Sequence, residues 1–496
     1  MSEKREKTMS SNQPNFLFII TDQQRADTSG IPGAAVKAPN LQRLASEGIR
    51  FTNTFCTAPH CCPSRASLLT GLYPSQHGIW NNVLNDMALG TDLRAGVRLW
   101  NEELQENGYE NHFFGKWHVS GTEYPRDRGW IEHTASATPD DRHGLYWKDY
   151  QKLAAQENVP RGTGEIKNSG YETMQLFREI DSDEGAHDRV IVDEVLNQLD
   201  LLKDKATPWC IYAGLFYPHD PYEVPREYLD RFPLDSIEVP VSIDDEMRDK
   251  PNAYRMIKEK VFNQMDINEK RECIRHYYAL CSYVDDQIGL LLDKLKQTGM
   301  EEDTVVIFCS DHGDYCGEHG LFCKGVPAFD SAYKVPLIIR YPQKIKNKGR
   351  SEDSLISLTD LRPTIFDLAG IKHSSEAYPG RSLIPFLHNT QPDNWRESVY
   401  MQCNGVELYY TQRIIRTQQY KLVYNGYDTD ELYNLDNDPE EMQNLASHSE
   451  YQNIKQDLFK LLWQKAYEVG DGVINGYFTV RMAENGPAVA FSSEDQ

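Results

Sequence analysis

The sequence contains no apolar run approaching the ~18 residues of a membrane span, so no transmembrane segment is expected. Positive charge is scarce: 52 Lys and Arg stand against 75 Asp and Glu, a net charge of −23. That balance disfavours general attraction to nucleic acid or anionic membranes, and an anionic substrate would need a local cationic pocket. The ten cysteines, at 56, 61, 62, 210, 273, 281, 309, 316, 323 and 403, lack the paired CxxC spacing of zinc ribbons. They are too sparse for a disulfide scaffold, and most are expected to be reduced, buried, small apolar residues. No internal repeat or low-complexity linker is visible. The opening MSEKREKTMSSNQPNFLFII carries no legible secretory signal. A cytoplasmic location is therefore expected as the sequence stands, with a periplasmic or secreted one left open to a leader ahead of it.

What is present is an ordinary globular composition, 40% hydrophobic and 26% charged, over 496 residues. That length allows about three domains, or one large α/β domain with an appendage. Strand-like apolar runs alternate with amphipathic helical stretches over the first two thirds: NFLFII (15–20), PNLQRLASEG (39–48), RVIVDEVLNQLDLL (189–202), WCIYAGLF (209–216), DDQIGLLLDKLKQTG (285–299), TVVIFCS (304–310) and VPLIIRYP (335–342). This pattern predicts an α/β fold with a large mixed, mostly parallel sheet flanked by helices. Strands end in TDQQR, PHDP and SDHGD, and open α/β sheets bind ligands at the carboxyl ends of their strands. Residues 120–188 read as long functional loops. Beyond 370, RIIRTQQYKLVYNG and DELYNLDNDPEE predict antiparallel strands, followed by a helix near 450–468, in a smaller C-terminal α+β subdomain.

The stretch HCCPSRASLLTG (60–71) sets Cys61-Cys62-Pro63-Ser64-Arg65 ahead of Leu69-Thr70-Gly71. It resembles the C-x-P-S-R signature, with downstream T-G, of the formylglycine-dependent sulfatases, which implies an alkaline-phosphatase-like fold. The resemblance extends along residues 14 to 370 and returns in ELYNLDNDPEE. It implies a flexible terminus over 1–13, a catalytic domain over 14–375 and a C-terminal subdomain over 376–496. It also implies that Cys61, the first cysteine of the signature, is converted to 3-oxoalanine (formylglycine) by a formylglycine-generating or anaerobic sulfatase-maturating enzyme. Asp22 and Gln23 fall where the family places its first two metal ligands, and Asp311 and His312 resemble the second pair. Family members commonly carry Asp-Asp at the first pair; Asp-Gln departs from that in the manner of the phosphonate monoester hydrolases of the same superfamily. With an oxygen of modified Cys61, these donors suit one hard cation, and the resemblance implies Ca2+.

GKWH supplies Lys116 and His118, PHDP supplies His219, and GLFCKG supplies Lys324, each at a family position. The resemblance implies that Lys116 and Lys324 screen sulfate oxygens, Arg65 holds the nucleophile, His118 takes a proton from it, and His219 or Lys324 protonates the departing alcohol. Asn82 falls at a substrate-oxygen contact of the phosphonate monoester hydrolases; His143, Trp147, Arg413 and Arg416 are weaker candidates for substrate, with strand pairing the stronger reading for the two arginines. The expected function is sulfate removal from a sulfated carbohydrate or related ester. A phosphonate monoester or phosphodiester hydrolase is the nearest alternative, and a non-catalytic sulfoglycan-binding protein the alternative from another class.

Overall fold

The computed structural model describes residues 13–136, 138, 159–168, 173–181, 187–374, 378–406, 408–475 and 483–491. His143, Trp147, most of the expected N-terminal tail and the expected boundary near 375 lie outside these residues.

Eight strands form the main sheet: β1 (Asn15–Thr21), β2 (Ile49–Phe55), β3 (Glu110–Lys116), β4 (Ile131–Ser136), β5 (Trp209–Gly214), β6 (Thr304–Ser310), β7 (Lys334–Arg340) and β8 (Arg350–Ser357). Their order is β8-β2-β7-β6-β1-β5-β3-β4, and only β7 runs against its neighbours. NFLFIIT and TVVIFCS are apolar between polar end residues and buried apart from half-buried Asn15, as central parallel strands covered on both faces must be. The helices α1 (Pro39–Glu47), α2 (Cys61–Thr70), α3 (His187–Leu202) and α4 (Ile267–Gln297) flank this sheet. A second, antiparallel sheet of β9 (Ser398–Cys403), β10 (Gln412–Thr417), β11 (Tyr420–Tyr424) and β12 (Glu431–Asn434) packs its own core against α5 (Gln452–Glu468). The expected architecture is therefore the observed one. Among the described residues no helix is long and apolar enough to cross a membrane.

Register brings the chemistry together. Thr21 of β1 pairs with Ser310 of β6, so the next residues, Asp22 and Asp311, emerge side by side although far apart in sequence. Lys116 ends β3, which reaches the same edge through β5. All ten residues of α2 are buried. The helix stops at Gly71, whose φ of 70° favours glycine and whose added Cβ would lie 2.8 Å from the Arg362 side chain.

Just beyond α2, buried His77 accepts a hydrogen bond from the Ile79 N–H at Nδ1 and donates from Nε2 to Ser67 Oγ, so it is neutral. Burial lowers its pKa to about 3. The folded value lies below the unfolded one, so the stability it carries is complete above pH 6.5 and is lost as pH falls towards 3. His77→Gln, which cannot titrate, should flatten the pH dependence of unfolding free energy between pH 4 and 6 by about 1.4 kcal/mol per unit, one proton's worth. An unchanged slope in denaturant titrations would refute this.

Candidate active site

The N-terminus of α2 points Cys61 at the carboxyl edge of the sheet. Its Sγ lies 3.3 Å from His312 Nε2, 3.6 Å from Asp22 Oδ1 and 3.6 Å from Lys116 Nζ. Burial opposes ionisation, but Lys116, Lys324 and His312 hold the thiol well below its ordinary range. Cys62 faces the other way: its sulfur accepts the Val83 N–H at 3.3 Å, and burial drives its pKa up. The two adjacent cysteines thus lie in opposite surroundings, Cys61 among cations and Cys62 bonded into the core.

Arg65, wholly buried, clamps both acids, with Nη2 3.0 Å from Asp22 Oδ2 and Nε 2.8 Å from Asp311 Oδ2. Lys116 Nζ adds a third ion pair, 2.6 Å from Asp22 Oδ2. Burial alone would raise Asp22, but Lys116 and Arg65 hold it well below the usual carboxylate range. Asp311 goes the other way, pushed up by burial and by the charge of Asp22. His312 Nδ1 lies 2.9 Å from the Gly313 carbonyl, which can only accept, so Nε2 is turned towards Cys61 and Asp22; burial opposes the charged ring, but Asp311 and Cys61 raise its pKa. One donor atom each from Asp22, Cys61, Asp311 and His312 fall within 4.8 Å of one another, all buried. Two repelling carboxylates and an imidazole nitrogen that would give up its proton on ligation fit a divalent cation, which would relieve that repulsion.

His219 Nδ1 lies 2.5 Å from the Asp220 carbonyl, so it carries the proton there and Nε2 accepts from Lys324 Nζ, also 2.5 Å away. Lys324 Nζ makes a second bond, 2.6 Å, to Gln23 Oε1. His118 hydrogen-bonds Cys61, and burial keeps it below its usual pKa.

Asn82 Oδ1 caps α2 by accepting the Cys62 N–H at 3.2 Å, which leaves a substrate contact to its amide nitrogen. Arg413 is not at the site: it is buried in the second sheet, where Nε and Nη2 bind Asp471 at 2.6 and 3.0 Å. Its place on β10 turns it into the subdomain rather than towards Cys61. Arg416 likewise pairs with Asp330. Sequence reasoning missed Asp314 and Tyr222. Gln23 Nε2 donates to Asp314 Oδ2 at 2.6 Å, and the Tyr222 hydroxyl donates to the same oxygen at 2.5 Å. The signal was there, since Asp314 is the last residue of SDHGD. Burial lifts its pKa to about 6, against the hydrogen bonds from Tyr222, Cys316 and Gln23.

The family model described as Sulfatase matches residues 14–371, and the one for the N-sulphoglucosamine sulphohydrolase C-terminal region matches 317–468. The chain belongs to the sulfatase family. It is a sulfuric ester hydrolase. It is 30% identical to a choline-sulfatase of Rhizobium meliloti, over 89% of this chain and 84% of that one. It is also 30% identical to an ulvan-active sulfatase of Formosa agariphila, over 92% and 82% respectively. The fold is shared with the phosphonate monoester hydrolase of Agrobacterium radiobacter, at a TM-score of 0.74 and 24% identity, covering 92% of this chain and 96% of that one.

Proposed function

We propose that this sulfatase removes sulfate from a sulfated carbohydrate, with Cys61 converted to formylglycine by a maturating enzyme and one Ca2+ held by Asp22, Gln23, Asp311, His312 and the modified residue. The observation that carries it is the convergence of Lys116, His312 and Asp22 on Cys61 Sγ while Cys62 is bonded away in the core. When bound, the cation would supply Lewis-acid neutralisation of the sulfate oxygens, and the modified residue at 61 would supply one hydroxyl for attack and a second for sulfate release.

The chain's own groups do the rest. Lys116 Nζ sits between the nucleophilic position and Asp22, where it screens sulfate charge and orients the attack. Arg65 balances both carboxylates with one rigid fork of donors. Lys324 and His219 hold one proton between Nζ and Nε2, and the leaving oxygen takes it from that pair. His118, neutral beside Cys61, accepts the proton that restores the resting site.

Sulfate release across a panel of defined sulfated oligosaccharides tests the substrate class; turnover of none, with an aryl sulfate turned over, would refute it. Peptide mass mapping of active protein tests the nucleophile. Formylglycine is expected at 61 and not at 62; Cys61→Ala should be inactive while Cys62→Ala retains most activity. A fully unmodified Cys61 in active protein would overturn the mechanism. Gln23 beside Asp22 favours a second reading, phosphonate monoester or phosphodiester hydrolysis, which side-by-side kinetics on aryl sulfate and phenylphosphonate esters would separate.

A further inference from the structure

We infer that Asp314 is a positioning residue that dictates which end of the Gln23 side chain faces the reaction centre. The nitrogen and oxygen ends of a glutamine amide have nearly the same shape, so only their partners distinguish them. Here the partners leave one arrangement. On one side Nε2 meets two acceptors, Asp314 Oδ2 at 2.6 Å and Asp220 Oδ1 at 3.0 Å. On the other, Oε1 meets the Lys324 ammonium at 2.6 Å, which has only donors. A flipped amide would set its oxygen against two carboxylates and its NH2 against an ammonium.

Of the two carboxylates, Asp314 is the fixed one. It is wholly buried, and it is held from behind by the Tyr222 hydroxyl at 2.5 Å and the Cys316 N–H at 2.7 Å, whereas Asp220 is partly exposed. Gln23 is itself held in place: its φ is 66°, and its backbone N–H donates to Asp311 Oδ1 at 3.1 Å. Asp314 therefore acts on the site through Gln23 in two ways. It keeps the amide nitrogen on the carboxylates, so that the end of Gln23 left for a cation is the neutral carbonyl oxygen. It also keeps that oxygen on Lys324, so that Nζ stays 2.5 Å from His219 Nε2. This role rests on the reading of the cluster as a cation site only for the first of these effects.

The test is a pair of substitutions whose effects should cancel. Asp314→Asn keeps the shape but offers a donor, so the Gln23 amide can turn. Calcium affinity, measured by calorimetry on the chelator-stripped full chain, should weaken about 10–100-fold, as for other residues that orient ligands. Gln23→Glu alone should also weaken it, because a carboxylate then opposes Asp314. In Gln23→Glu/Asp314→Asn the glutamate has two equivalent oxygens, one for Asn and one for the site, so most of the affinity should return. The thermal midpoints of the metal-free proteins should show the same loss and recovery. A purely structural role for Asp314 predicts a double variant no better than Asp314→Asn, and that result, or an Asp314→Asn protein indistinguishable from wild type, overturns the inference. If Asp314→Asn alone does not fold, a folded double variant is the supporting result and an unfolded one the overturning result. A wild-type protein that binds no calcium would sink the cation reading alone; the metal-free midpoints would still decide the orientation of Gln23.

Discussion

Replacing His219 or Lys324 with Ala should slow hydrolysis of a sugar sulfate about 10²–10⁴-fold while costing a nitrophenyl sulfate far less. A sugar alkoxide must be protonated as it leaves, whereas a nitrophenolate departs without help. The geometry adds a sharper expectation. Nζ and Nε2 lie 2.5 Å apart, so on the proposed mechanism they share one proton and act as one acid. The double variant should then be scarcely slower on the sugar ester than the worse single one, as for residues that act as a unit. Lys116→Ala is the matched control: Lys116 faces the nucleophile and Asp22, so its loss should depress both esters alike. Equal losses on both esters for His219→Ala and Lys324→Ala would refute the assignment and turn attention to His118.

Arg65→Met should be the most destabilising of the active-site substitutions. It removes the guanidinium that pairs with Asp22 and Asp311 in a region without solvent exposure, leaving Lys116 as the remaining cation on Asp22. Breaking a buried pair from one side costs about 3–5 kcal/mol, because the abandoned charge stays buried. Activity should fall at least ~10²-fold, the usual cost of deleting one preorganised electrostatic group. Calcium should raise the unfolding midpoint of the variant more than that of wild type, since a divalent cation neutralises the same carboxylates. Arg65→Lys should recover little, because one ammonium cannot span both acids as the fork does. Denaturant titrations with and without calcium read this directly, and a variant as stable as wild type in chelator would contradict it.

Much of this was legible in the sequence because it is local. NFLFII and TVVIFCS announce buried strands by composition, and the residues just after a parallel strand stand at the ligand-binding edge whatever their partners. Asp22 and Asp311 follow such strands directly, whereas Lys116 is placed by the resemblance of GKWH to the family element. What escaped depends on pairings across long stretches of chain. The orientation of Gln23 is decided by Asp314, 291 residues away, and Arg413 is claimed by Asp471, 58 residues further on. No periodicity encodes either. The choice between Cys61 and Cys62 followed from the signature alone, but its physical basis, a sulfur whose pKa cations pull down against one bonded in an apolar core, required the neighbours to be seen.

The pairing of β1 with β6 also has a consequence for the nascent chain. His312 is 251 residues downstream of Cys61, so the wall that closes over the thiol does not exist until the ribosome has travelled that far. At about 5–20 residues per second this takes roughly 10–50 s. In the finished protein Cys61 is 1% exposed at the start of a wholly buried helix. On the proposed maturation of Cys61, the delay built into the strand order is an interval open to the modifying enzyme, and translation speed sets its shortest length.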